Sequence, residues 1–203
     1  MSKEYQNILR HINNLFEDPK KAWMVIDSEY YRSYKKLMFY YMTPFFFLLT
    51  FTIVLSQLFL TENIIKRVFF SLLISILSFG SYCFLLYILS IITEYTVEIM
   101  GGKNKPLAGA KLSLFSSLPF LSLIFISLII VNIPYLRYAA YLIAVTGILY
   151  NIKLISSGAE QLLMLPNGRK VYWGLIIITT ILISLIIISI VGLLIYSIYL
   201  NII

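Results

Sequence analysis

The chain has 203 residues, 60% of hydrophobic types and 12% charged, where soluble domains average about half and about a quarter. That excludes an ordinary water-soluble globule and implies a membrane. The formal charge of +7 comes from 16 Lys and Arg against 9 Asp and Glu; because the basic residues fall between apolar runs, loop topology accounts for them and a nucleic-acid partner is not expected.

Residues 1–36 carry charges of both signs and precede an apolar run of full membrane length, so they read as a cytosolic or interfacial lead-in and not as a signal peptide. Tyr5, Ile8, Ile12 and Leu15 recur at helical spacing, flanked by Leu9 and Phe16, while Arg10, Asn13 and Glu17 point elsewhere. This pattern predicts an amphipathic helix at the membrane surface or against a bundle. His11 is expected to face solvent on its polar side. Asp18-Pro19 ends that helix and starts another, with Asp18 as cap, Pro19 in the first turn, and Trp23 and Ile26 as the apolar face. Tyr30, Tyr31, Tyr34, Tyr40 and Tyr41 bracket Arg32, Lys35 and Lys36 as an interfacial belt.

Behind this lead-in, 25 uncharged residues separate Lys36 from Glu62, 26 separate Arg67 from Glu94, and 25 separate Lys111 from Arg137. Each run exceeds the roughly 20 residues that cross a hydrocarbon core. Only 15 uncharged residues lie between Arg137 and Lys153, but a lysine near a helix end can lay its stem along the acyl region. The last 33 residues, from Val171, carry no charge. The expected architecture is therefore all-α, a bundle of five transmembrane helices at about 37–60, 68–93, 112–133, 134–157 and 171–199. With the N-terminus cytosolic, 13 Lys and Arg fall inside and 3 outside, which predicts a multi-pass protein of the cytoplasmic membrane with its C-terminus outside.

Small and hydroxylated residues mark packing seams: Ser71, Ser75 and Ser78 in the second expected span, and Ala140, Ala144, Gly147, Asn151 and Gly158 in the fourth. Pro44 and Pro119 fall inside spans, where a kink is tolerated. Catalytic motifs such as GxSxG, HExxH and the P-loop are missing, and with one histidine and one cysteine, His11 and Cys83, neither a metal centre nor a disulfide is expected. The expectation is a protein that is not an enzyme and carries no cofactor.

Two groups of charges could bind something. Glu94 and Glu98 lie four apart near the C-terminal end of a helix, where carboxylates are disfavoured and should want a cation; Lys153 is the candidate, with Glu160 on nearly the same face as Lys153. A ligand, ion or partner cluster of Glu94, Glu98, Lys153 and Glu160 is the sharper reading, and charges resting at the interface the blander one. Lys103, Lys105, Lys111, Arg169 and Lys170 occupy the expected cytosolic loops and could meet anionic lipid headgroups. Gly101-Gly102 before Lys103, with Pro106 beyond, forms a helix stop.

The order of a Pro19-Lys20-Lys21-Ala22-Trp23 element, a span ending in Glu98-x-x-Gly101-Gly102-Lys103, and a span opening at Lys111-Leu112 and reaching Ser117-Leu118-Pro119 resembles the Yip1-domain family of bacteria and archaea. The resemblance covers nearly the whole chain. It implies five membrane helices and a cytosolic N-terminus, in agreement with the charge count, and no settled biochemical activity. The expected function is to organise lipid, or to recruit a membrane-protein or cytosolic partner, through a basic, tyrosine-rich inner face; self-association is compatible with it. The alternative is a small transporter or channel subunit binding an ion at the Glu/Lys cluster.

Overall fold

A computed structural model describes residues 3–31, 33–58, 64–103, 105–130, 133–165, 173–174 and 178. These residues are all-helical: α1 (Lys3–Glu17), α2 (Pro19–Ser28), α3 (Tyr34–Leu58), α4 (Ile64–Ile99), α5 (Ala108–Ile130), a 3₁₀ turn at Pro134–Leu136, and α6 (Arg137–Leu162). Within them Ser75–Ile99, Ala108–Ile130 and Arg137–Leu162 are long and apolar enough to cross a membrane. Their outer faces fit a hydrocarbon surrounding. Leu77, Phe84 and Ile91 of α4 and Leu142, Val145 and Leu149 of α6 are exposed, and a contiguous apolar exterior of this kind needs hydrocarbon around it. The last expected span, 171–199, and Arg169 and Lys170 lie outside the described residues apart from the helical pair 173–174 and residue 178.

α5 is the axis of the molecule and packs against α1, α2, α3, α4 and α6. Its first half is buried on every side, from Ala108 through Pro119, because the sequence there alternates small residues with large apolar ones. Ser113, Ser116 and Ser117 donate to the carbonyls of Ala110, Ser113 and Leu114 three residues back, at 3.2, 3.2 and 2.6 Å. Their hydroxyl protons are thus satisfied inside the helix, and neighbours can approach closely. The α4 backbone comes close at Gly109, where a Cβ would sit 2.5 Å from the backbone oxygen of Ser90. Pro119 lies within α5 and Pro44 within α3, and both helices continue through them.

α4 is longer than expected. Its 36 residues extend about 54 Å at 1.5 Å per residue, so it overshoots a hydrocarbon core of about 30 Å. It stops where the glycines predict. Gly101 adopts φ 75°, Gly102 N donates to Val97 O at 3.0 Å, and Gly101 N to Glu98 O at 3.1 Å, the pattern of a left-handed cap. Of the α4 serine stripe, Ser75 is buried but Ser78 is exposed. The α6 seam forms more fully: Ala140, Gly147 and Gly158 are buried, and Ser127 of α5 donates to the Ala140 carbonyl at 2.8 Å.

Candidate functional site

Two places concentrate polar chemistry: the junction where α1 and α2 fold back onto the bundle, and a cavity between α4, α5 and α6.

At the junction, α2 begins as its sequence dictates. The Asp18 carboxylate accepts from Lys21 N at 3.2 Å, and Trp23 and Ile26 are completely buried. The Trp23 indole donates to Ser157 Oγ of α6 at 3.1 Å and lies against Gly158, where a Cβ would come within 2.7 Å of its ring. α1 buries Ile8, Ile12 and Leu15. Each helix leaves carbonyls without partners at its C-terminal end, and the bundle supplies a donor to each. Tyr150 of α6 donates its hydroxyl to Leu15 O at 2.7 Å and stacks on Phe16, ring centroids 5.3 Å apart. Lys111 of α5 donates to Ile26 O, Asp27 O and Glu29 O at 2.8, 3.0 and 2.7 Å.

Lys111 therefore departs from its expected place among headgroup-binding lysines. It is 6% exposed, its three protons meet three carbonyls, and its charge sits at the negative end of the α2 dipole. Lys105 is likewise engaged, with Nζ 2.5 Å from the Asp27 carboxylate. Lys103 is exposed, while its backbone amide donates to Leu163 O at 3.0 Å.

His11 also departs from expectation. It is 1% exposed, edge-on to Phe115 and Tyr41 with centroids 5.2 and 5.9 Å away, and its Nε2 is 3.2 Å from Glu29 Oε2. The sequence held a signal for this: positions 8, 11, 12 and 15 follow i, i+3, i+4, i+7, so His11 shares the apolar face. Glu29 gathers further partners. Arg10 lies 3.5 Å from its other oxygen, and the Tyr31 hydroxyl donates to the carboxylate and sits 3.0 Å from the Tyr41 hydroxyl. Burial pushes Glu29 up, but the hydrogen bonds from His11 and Tyr31 and the neighbouring positive charge outweigh it and hold the carboxyl below its usual value. Burial, with that same carboxylate, drives the Tyr31 phenol far above its ordinary range.

The four residues of the expected Glu/Lys cluster are placed as follows. Glu94 is half-buried beside Gly109, and the backbone amide of Ala110 hydrogen-bonds its carboxyl, so the positive end of α5 serves it. Lys153 is exposed and holds its ammonium 5.8 Å from the Tyr150 ring centroid. Among the described residues no ion pair joins Glu94 to Lys153. Glu98 and Glu160 are exposed.

The cavity has a volume of about 410 Å³. Leu85, Leu86 and Leu89 of α4, Leu112 and Phe120 of α5, and Ile148, Ile152 and Ile155 of α6 make most of its wall. Tyr82, Thr93, Ser113, Ser116, Ser117, Asn151 and Trp173 interrupt that wall with polar groups. Asn151 Oδ1 and Trp173 Nε1 are buried and have no hydrogen-bond partner among the described residues. Asn151 stood out in the sequence as an amide within an apolar run; nothing local marked Trp173 as its neighbour on the same cavity. Comparison with protein-family models, with curated proteins and with solved structures finds no match to the chain.

Proposed function

We propose that this is a non-enzymatic, five-span protein of Yip1-like type in the cytoplasmic membrane, N-terminus inside, which organises anionic lipid through the α1–α2 unit and presents that unit to membrane or cytosolic partners. One observation carries the reading. Although α1 and α2 are fastened to the bundle at both C-terminal ends, they leave Leu9, Phe16, Met24 and Val25 exposed beside the exposed basic side chains of Arg10, Lys20 and Lys21. Apolar side chains interleaved with basic ones suit the boundary between acyl chains and anionic headgroups. The expected spans 37–60, in large part α3, and 171–199 complete the five helices of this reading.

Extraction of the protein with its surrounding lipid into polymer nanodiscs tests it. A basic residue near an anionic surface contributes about 1 kcal/mol, so Lys20→Glu, Lys21→Glu and Lys103→Glu together should lower the anionic share of co-extracted lipid several-fold. All three side chains are exposed, so folding should be unaffected. Equal lipid composition around wild type and variant would refute the reading.

A further inference from the structure

We propose that the cavity between α4, α5 and α6 is a binding site for a neutral, hydroxyl-bearing single-chain lipid, a long-chain alcohol or a monoacylglycerol. This goes beyond the lipid-organising role of α1–α2 and does not rest on it, since the cavity lies among other residues and takes an uncharged ligand.

Three features define the occupant. The first is size: about 410 Å³ falls at the small end of the roughly 300–1,000 Å³ of small-molecule sites, room for a medium-length chain with a small head. The second is charge. Among the described residues no Asp, Glu, Lys or Arg lines the cavity, so an ionised head would be buried there without a counter-ion, which is costly in a site this apolar. The third is the pair of unmatched polar atoms, one acceptor and one donor. Among the described residues the indole N–H of Trp173, 2% exposed, and the amide oxygen of Asn151 meet no partner. A hydroxyl both donates and accepts, so it matches either atom. The hydroxyls of Ser113, Ser116 and Ser117 already donate within α5, so they offer a ligand only acceptor capacity. An alkane would fill the volume and leave the indole and the amide unpaired.

The test uses the fluorescence of Trp173 in nanodiscs of saturated phosphatidylcholine. The chain has two tryptophans, so Trp23→Phe leaves Trp173 as the reporter. The probes are 12-bromododecan-1-ol, 1-bromododecane and 12-bromododecanoate. The alcohol should quench saturably, the alkane about tenfold more weakly, the scale expected from leaving one buried polar group unpaired, and the carboxylate more weakly still, because its charge would be buried. Asn151→Leu should bring the alcohol down to the alkane's level, and Ser116→Phe, which fills the cavity, should abolish saturation. If Trp23→Phe does not fold, native mass spectrometry of the wild-type chain with 1-dodecanol replaces it; a one-to-one adduct lost in Asn151→Leu supports the site, and no adduct overturns it. Quenching that rises linearly with probe content, or is equal for all three probes, or is unchanged by Asn151→Leu also overturns it, with trapped water then satisfying the two atoms.

Discussion

Lys111→Met lowers the stability of the protein by about 3 kcal/mol, the loss of charge-assisted hydrogen bonds whose carbonyl partners stay buried. Its ammonium holds the three carbonyls that close α2, at 2.7 to 3.0 Å. Without it, the α2 end loses both its hydrogen bonds and the charge that opposes its dipole. The effect is local in character: α1 and α2 detach before the bundle opens, so proteolysis after Lys20 and Lys21 rises at temperatures where α4, α5 and α6 remain protected. Lys111→Arg rescues little, because a planar fork does not reproduce three donors converging from one nitrogen. The control is Lys103→Met on the exposed loop, expected within about 0.5 kcal/mol of wild type. Thermal unfolding in detergent, read beside the protease pattern, decides. Equal effects of the two lysine substitutions would show that the buried clamp contributes nothing.

Gly109→Ala is the second large effect, about 1–3 kcal/mol of overpacking. The added methyl would meet Ser90 O at 2.5 Å and Glu94 Cγ at 2.9 Å. Ser90 O is backbone, so no rotamer change relieves the clash, and α4 and α5 must move apart along a helix buried on all sides. Gly80→Ala in α4 meets nothing within 4 Å and should gain up to about 1 kcal/mol of helix propensity. Opposite signs for these two glycines in the same melting experiment are expected; a Gly109→Ala protein as stable as wild type would mean that α4 and α5 do not approach this closely.

Local patterns in the sequence led to local structures. The Asp18-Pro19 start of α2 and the Gly101-Gly102 stop of α4 each depend on neighbours within one or two turns, and each is found where its spacing places it; of the Tyr5, Ile8, Ile12 and Leu15 stripe, the last three are buried. What stayed hidden depends on distant partners. Lys111 opens an apolar run, so by sequence it is one more interfacial lysine; only the return of α2, more than 80 residues earlier, turns it into a cap. Glu94 at a helix end suggests a cationic side chain, yet the amide of Ala110 in the next helix serves it. His11 was hidden by its polarity, although its spacing put it among the isoleucines. The cavity was the least legible feature, because its wall joins α4, α5, α6 and Trp173, and no single segment carries its pattern.

The position of α1–α2 on the membrane is measured most directly by spin labels in proteoliposomes, with Cys83→Ser removing the native thiol. Labels replace Leu9 and Met24, 52% and 55% exposed, and the exposed polar residues Asn13 and Lys20. An α1–α2 unit lying in the headgroup and acyl boundary makes positions 9 and 24 more accessible to oxygen than to a water-soluble nickel chelate, and positions 13 and 20 the reverse. Four labels that all favour the chelate would place the unit in water and contradict its role as a lipid-organising surface.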